Sequence, residues 1–370
     1  MPGNTEAIQH CKERLLEAFV NYDLNVDIVS CWQSFLDFKM KDQIEFFDRF
    51  PEMPPTNVTP DFTVLFKKKY GIIAEIKRTF PQADNAFEGV MSQIKGYDDE
   101  LDFQTSTNGQ FEKPDKHDIM VILFSPSGSF EIANRINILI NNKNKPFQFN
   151  NCLVAIEVIY SQTDQKNRYV FRRLPQIDTK FRDDCLSEAK RLEHLLEGGK
   201  SIEVYPKHIM EYKIRWKFCN DDPPEIYTAV FLWLDVFFDY VTEEQLLNWR
   251  VTPQSSIEIQ INIDELVDRI KSKILPSNGI RKSWITDAID FLCTANLAQR
   301  IDGNNVLIKY RNLVSKAGLV DETENSAGRS PRMRDYGIMM ADLYCSGKFK
   351  KAPQVKKRRT KKITKQKTLY

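Results

Sequence analysis

The chain has only four histidines, and its seven cysteines include no CxxC pair. A zinc site, which needs clustered Cys or His ligands, is excluded on that ground. The cysteines (Cys11, Cys31, Cys152, Cys185, Cys219, Cys293, Cys345) are odd in number and widely scattered. That pattern reads as reduced thiols of an intracellular protein, not as a disulfide framework. A nucleotide-binding phosphate loop is missing too. Gly198-Gly199-Lys200-Ser201 ends like one, but His194 stands where the earlier glycine is required. No Ser-His-Asp arrangement can be proposed from spacing. The most apolar stretch, 229–238, contains Asp235 and is followed at once by Asp239. It suits a buried core helix and is too short to span a membrane. Charged residues occupy the N-terminus where a secretory signal would need an apolar run. The expectation is a cytoplasmic protein, or a nuclear one in a eukaryote, with no membrane partner.

At 370 residues the chain can form two or three domains of ordinary globular composition. Its formal net charge of +2 is unevenly placed. Residues 346–370 hold eleven Lys or Arg and no acid, which leaves 42 of the 53 basic side chains against all 51 acidic ones. A basic arm on an acidic body suggests a polyanionic partner. Lys356, Lys357, Arg358 and Arg359 would hold phosphate backbone without sequence preference, through counterion release. A solvated tail without a specific job is the plain alternative.

Apolar residues recur at helical spacing over 6–22 (Ile8, Cys11, Leu15, Ala18, Phe19) and predict a first helix. A less regular, Phe-rich segment follows over 35–50. Two β-rich runs, 62–66 and 71–77, flank the polar Lys67-Lys68-Lys69-Tyr70 and read as a hairpin. Helix is expected over 83–101 and 130–141, and strand over 117–125, 151–161 and 168–174. This succession predicts a mixed α/β domain over 1–178. A helical connector (179–222), with an amphipathic helix over 180–196, would lead to a second unit over 223–320. A linker and basic tail would occupy 321–370.

The hairpin carries the chemistry. A turn near 68–70 makes facing residues sum to about 138, which sets Asp61 opposite Lys77 with Glu75 diagonal to it. Alternation puts Glu75 and Lys77 on one face, and cross-strand partners share faces, so Asp61 joins them. Two carboxylates and an ammonium then converge at one end of an apolar ribbon. Such a cluster is costly unless compensated. A hard divalent cation with oxygen ligands would compensate it. The plain alternative is a solvated sheet edge with a cross-strand ion pair.

Pro60-Asp61, thirteen residues, then Glu75-Ile76-Lys77 resembles the signature of the PD-(D/E)XK nuclease superfamily. On the next helix Gln93 and Tyr97, four apart and so on one face, resemble the QxxxY element of its RecB-like members. A RecB-like upstream His motif is not evident. The resemblance covers about residues 1–125 and implies a restriction-endonuclease-like sheet flanked by helices. It implies metal held by Asp61, Glu75 and the Ile76 carbonyl (Mg²⁺, with Mn²⁺ as a substitute). Lys77 would stand at the attacking water, and Gln93 and Tyr97 would position the phosphate or water. Many members add an acid from the first helix. Glu13 and Glu17 are the candidates, Glu17 the better, though both lie off the apolar stripe.

In the second unit, helix (226–241), helix (263–274), turn, helix (284–295) and a hairpin (299–301 with 306–310) resemble a winged helix. Asn262 would cap the middle helix. Arg281, Lys282, Ser283 and Thr286 would open the recognition helix, and Arg300, Lys309 and Arg311 would decorate the wing. The expected activity is Mg²⁺-dependent hydrolysis of DNA phosphodiesters, by an endonuclease of restriction, phage defence or mobile-element processing. RNA as substrate stays open. The alternatives are a non-cleaving nucleic-acid or protein adaptor, and a subunit working with a partner ATPase; a homodimer would suit double-strand cutting.

Overall fold

The computed structural model describes residues 2–350, except 79, 107, 125–127, 143–146, 164–165, 210–217, 220, 252–255, 274–279, 312 and 314–330. Helix α1 (Pro2–Lys39) is twice as long as its apolar stripe suggests, and absorbs the first part of the segment expected to be irregular. The stripe fails because residues 22–32 are buried on every side, so no polar face marks the period. Strand β1 (Ile44–Arg49) takes the rest of that segment.

A seven-stranded sheet runs β1-β2-β3-β6-β7-β8-β9. It contains β2 (Phe62–Phe66), β3 (Tyr70–Lys77), β6 (Lys116–Leu123), β7 (Leu153–Thr163), β8 (Lys166–Arg173) and β9 (Ser201–Val204). Between β3 and β6 lies the small ribbon β4 (Phe103–Gln104) and β5 (Phe111–Glu112). Strands β3, β6 and β7 are parallel, and the other neighbours are antiparallel. The fold is mixed α/β, as expected. One face packs on α1 through Phe62, Val64, Ile72, Ala74 and Ile76. The other packs Leu65 and Ile73 on α2 (Asp84–Lys95) and α3 (Ser129–Asn141). Central strands covered on both faces lose polar alternation, so β2 and β3 read as continuous apolar runs.

The segment expected as a connecting helix over 180–196 is mostly irregular, with only a tight turn at Glu188–Lys190 and α4 (Leu192–Leu196) helical. Its backbone is held by side chains instead. Arg182 grips Asp118, and Glu193 accepts from Phe181 N at 3.1 Å and pairs with Arg173. The same stretch then supplies β9 to the sheet.

The second unit begins with α5 (Glu225–Phe231), which continues through a wide turn into a tighter one ending at Tyr240. After α6 (Glu243–Val251) come β10 (Ile257–Asn262), α7 (Ile263–Lys273), α8 (Lys282–Thr294), β11 (Ala298–Arg300) and β12 (Asn305–Tyr310). Strand β10 is additional to the expected elements and pairs with β12 in the order β10-β12-β11. Asn262 caps α7 as expected, its Oδ1 accepting from Asp264 N (3.0 Å) and Glu265 N (3.3 Å).

Helix α9 (Pro331–Lys350) occupies part of the expected linker and packs on α1, α5 and α8. A Cβ on Gly347 would collide with the Thr294 carbonyl, so only glycine permits this approach to the end of α8. Cys11 and Cys345, with Cα atoms 6.2 Å apart, are disulfide-bonded across α1 and α9, which corrects the expectation of reduced thiols for this pair. Spacing cannot reveal a partner 334 residues away. Among the described residues no helix is long and apolar enough to cross a membrane.

Candidate active site

The site lies at the C-terminal end of β3, where the sheet changes from antiparallel to parallel pairing. The turn occupies 67–69 with Lys69 at φ 54°, and the β2–β3 ladder ends at Phe62 opposite Ala74. Continuing that register sets Asp61 against Glu75, whereas the sequence argument had paired it with Lys77. The slip is two residues, and an even slip preserves the face of every side chain. Asp61 is tied down by its backbone: its N–H donates to Ala74 O (3.0 Å) and its carbonyl accepts from Phe50 N (2.9 Å). Its Oδ2 accepts from Ile76 N at 2.6 Å.

Glu75 is 5 % exposed and shares the α2 face of β3 with Ile73. Its Oε1 is 2.6 Å from Lys77 Nζ and accepts from Gln93 Nε2 at 3.2 Å. Its Oε2 accepts from the Tyr97 hydroxyl at 2.7 Å. Gln93 closes the ring by accepting from Lys77 Nζ (3.0 Å) and donating to Tyr97 (3.4 Å). Gln93 sits on α2, and Tyr97 on the single tight turn that ends it (Gly96–Asp98). That turn is pinned on both sides. The Tyr97 carbonyl accepts from His117 Nε2 (2.9 Å), and Asp98 accepts from Asn150 N (2.8 Å) and Asn151 N (2.7 Å). The structure therefore brings together Asp61, Glu75, Lys77, Gln93 and Tyr97.

Burial, then the neighbouring Glu75 charge, holds the Asp61 carboxyl well above the usual carboxylate range; the Ile76 N–H pulls the other way. Burial also raises Glu75, against the opposing pull of Lys77 and Tyr97. Desolvation and the Glu75 charge push the Tyr97 phenol up, so it stays a donor at any physiological pH.

No family model, no curated protein and no solved structure matches this chain.

The remaining expected residues lie as follows. Glu17 is exposed on α1, and Glu13, also exposed, accepts from Gln9 at 2.9 Å. Arg281 precedes α8 and pairs with Asp222 (2.9 Å), while Lys282 pairs with Asp264 (2.5 Å). Lys309 is half-buried on β12 and Arg311 exposed just beyond it; Arg300 pairs with Asp290 at 2.7 Å. Lys356, Lys357, Arg358 and Arg359 lie outside the described residues.

One acid was missed. Asp221, exposed, acts electrostatically on both Asp61 and Glu75. Its carbonyl accepts from the Tyr22 hydroxyl (3.4 Å), which also accepts from Cys219 N (2.8 Å). The next residue, Asp222, accepts from Arg281 and from Trp284 Nε1 at 2.9 Å. Adjacent Cα atoms are about 3.8 Å apart, so this segment joins the end of β3 to the start of α8. The acidic pair before Pro223-Pro224 is its only mark in the sequence.

Proposed function

We propose that the chain is a metal-dependent nuclease of the PD-(D/E)XK kind that hydrolyses DNA phosphodiesters. One observation carries the reading: Lys77, Gln93 and Tyr97, from a strand and a separate helix, all bond to the Glu75 carboxylate, with Asp61 across the ribbon. The β3–α2–β6–α3–β7 core suits a restriction-endonuclease-like sheet, and the strand-helix-helix-hairpin unit with β10 paired to β12 suits a winged helix.

The donor set fits a hard cation. Asp61, Glu75 and the Ile76 carbonyl offer oxygens only, and the two neighbouring carboxylates disfavour each other's charge until a cation joins them. Asp61, Glu75 and Ile76 would hold Mg²⁺, with Mn²⁺ as a substitute. The ion would supply Lewis acidity and an easier deprotonation of water. Lys77 orients the attacking water and offsets charge growing on the phosphate. Gln93 holds the Lys77 ammonium in place. Tyr97 fixes Oε2 of Glu75, while Oε1 is held by Lys77 and Gln93. The start of α8, with Arg281 and Lys282, forms a wall for the duplex beside the cut.

A second reading, a subunit that cuts only with a partner, is favoured by one feature: both Glu75 oxygens are engaged by the chain itself. The test is plasmid and linear DNA incubated with Mg²⁺ or EDTA, alone or with cell extract, beside Lys77→Ala. Metal-dependent cleavage that disappears in the variant supports the proposal. Binding without cleavage in every condition sinks it, and equal cleavage by the variant removes Lys77 from the site.

A further inference from the structure

Arg78 follows Lys77 at the end of β3 and is half-buried. Its Nη1 is enclosed with no hydrogen-bond partner. Three other arginines of the described residues also have one enclosed, unpartnered nitrogen, but each is satisfied through the rest of its fork. Arg49 donates to Gln33 and Ser30, Arg168 pairs with Glu203, and Arg173 pairs with Glu193. Arg78 forms no such bond among the described residues. The groups it feels are Cys219, Asp221 and Asp61, none of them ion-paired with it. A guanidinium cannot shed its proton to relieve burial, and an enclosed N–H without an acceptor is costly. An acceptor brought by a bound ligand would remove that cost.

Alternation carried one residue past β3 sets Arg78 on the side opposite Lys77, the side on which the buried Cys219 packs with Ile72, Ala74 and Ile76. Lys77, by contrast, is held on the α2 side by Glu75 and Gln93. Two cations therefore straddle the end of one strand. Only the planar fork of arginine takes two phosphate oxygens at once.

We propose that Arg78 is a phosphate-binding residue of the cleavage site, gripping a substrate phosphodiester from the side of β3 opposite Lys77. The inference rests on the nuclease reading, but its test does not depend on turnover. Full-length wild type, Arg78→Ala and Arg78→Lys are titrated with a fluorescent 30-base-pair DNA duplex in EDTA across a range of salt. One phosphate contact contributes about 0.9 to the slope of log affinity against log salt. Arg78→Ala should lose that much, Arg78→Lys should keep it, and with Mg²⁺ Arg78→Ala should cleave at least about tenfold more slowly. Arg78→Met serves in place of Arg78→Ala should the latter not fold. An unchanged slope in a folded Arg78→Ala overturns the proposal and makes Arg78 a counter-charge for Asp61 and Asp221. Cleavage by wild type with that unchanged slope leaves the nuclease reading intact. An Arg78-dependent slope without cleavage sinks the nuclease reading and keeps the phosphate contact. Failure of wild type to bind the duplex overturns the proposal.

Discussion

Asp61→Asn should make the metal-free protein more stable while abolishing cleavage. Asparagine keeps the volume, and its Oδ1 can still accept from Ile76 N, the hydrogen bond the carboxylate makes through Oδ2 among the described residues. What disappears is a charge that burial, Glu75 and Asp221 all disfavour. Because the folded carboxyl is raised, the native state holds a proton that the unfolded chain has already released. Stability therefore falls as pH rises from the ordinary carboxylate value near 4 through the raised one, and the full penalty is present above it. Each pKa unit of elevation costs about 1.4 kcal/mol there, and each kcal/mol recovered raises Tm by about 2–4 °C in a domain of this size. Thermal unfolding of both proteins in EDTA between pH 5 and 8 reads the effect: Asp61→Asn melts higher at pH 7.5, and the difference narrows toward pH 5. Added Mg²⁺ should reverse the order. A ligand at a hundred times its Kd stabilises wild type by about 2.7 kcal/mol, and the variant lacks the carboxylate. A variant less stable than wild type in EDTA at pH 7.5 would refute the reasoning and mark Asp61 as structural.

Tyr97→Phe removes a donor from a buried carboxylate, a loss of about 1.5–3 kcal/mol measurable by urea unfolding; an unaltered midpoint would show that Glu75 does not depend on it. Asp118→Ala leaves the Arg182 guanidinium and the Tyr70 hydroxyl (2.8 Å) without their shared acceptor at a fully buried position. It should cost about 3–5 kcal/mol without altering the metal dependence of any folded fraction, as circular dichroism and cleavage together would show. Arg281→Ala should lower the salt slope of duplex binding by about 0.9 and free Trp284 to respond in fluorescence; no change in slope would place α8 outside the DNA path.

The clustering of these side chains was legible because its geometry is local. Residues 60–77 form one hairpin, and side-chain alternation survives a register error of two. Gln93 and Tyr97 were legible as a pair only through a family resemblance, since nothing in the sequence says that α2 packs over β3. Strand β10 could have been read, because Ile257, Ile259 and Ile261 alternate with Glu258 and Gln260. The full length of α1 could not, because burial on all sides erases the helical stripe. Asp221 and Arg78 were invisible for a different reason. Their importance lies in contacts between segments some 140 residues apart, and neither the acid nor the cation sits in a pattern.

The packing of α9 on α1 imposes an order on synthesis. Phe19 lies against Gly337 and Lys12 against Asp342 (2.5 Å), so the N-terminal half of the first helix rests on a helix made some 320 residues later. At about 5–20 residues per second, that apolar flank waits roughly a quarter of a minute to a minute for its cover. During that interval Leu15 and Phe19 are exposed in the nascent chain, and a holding chaperone that binds short apolar segments would find its site there first.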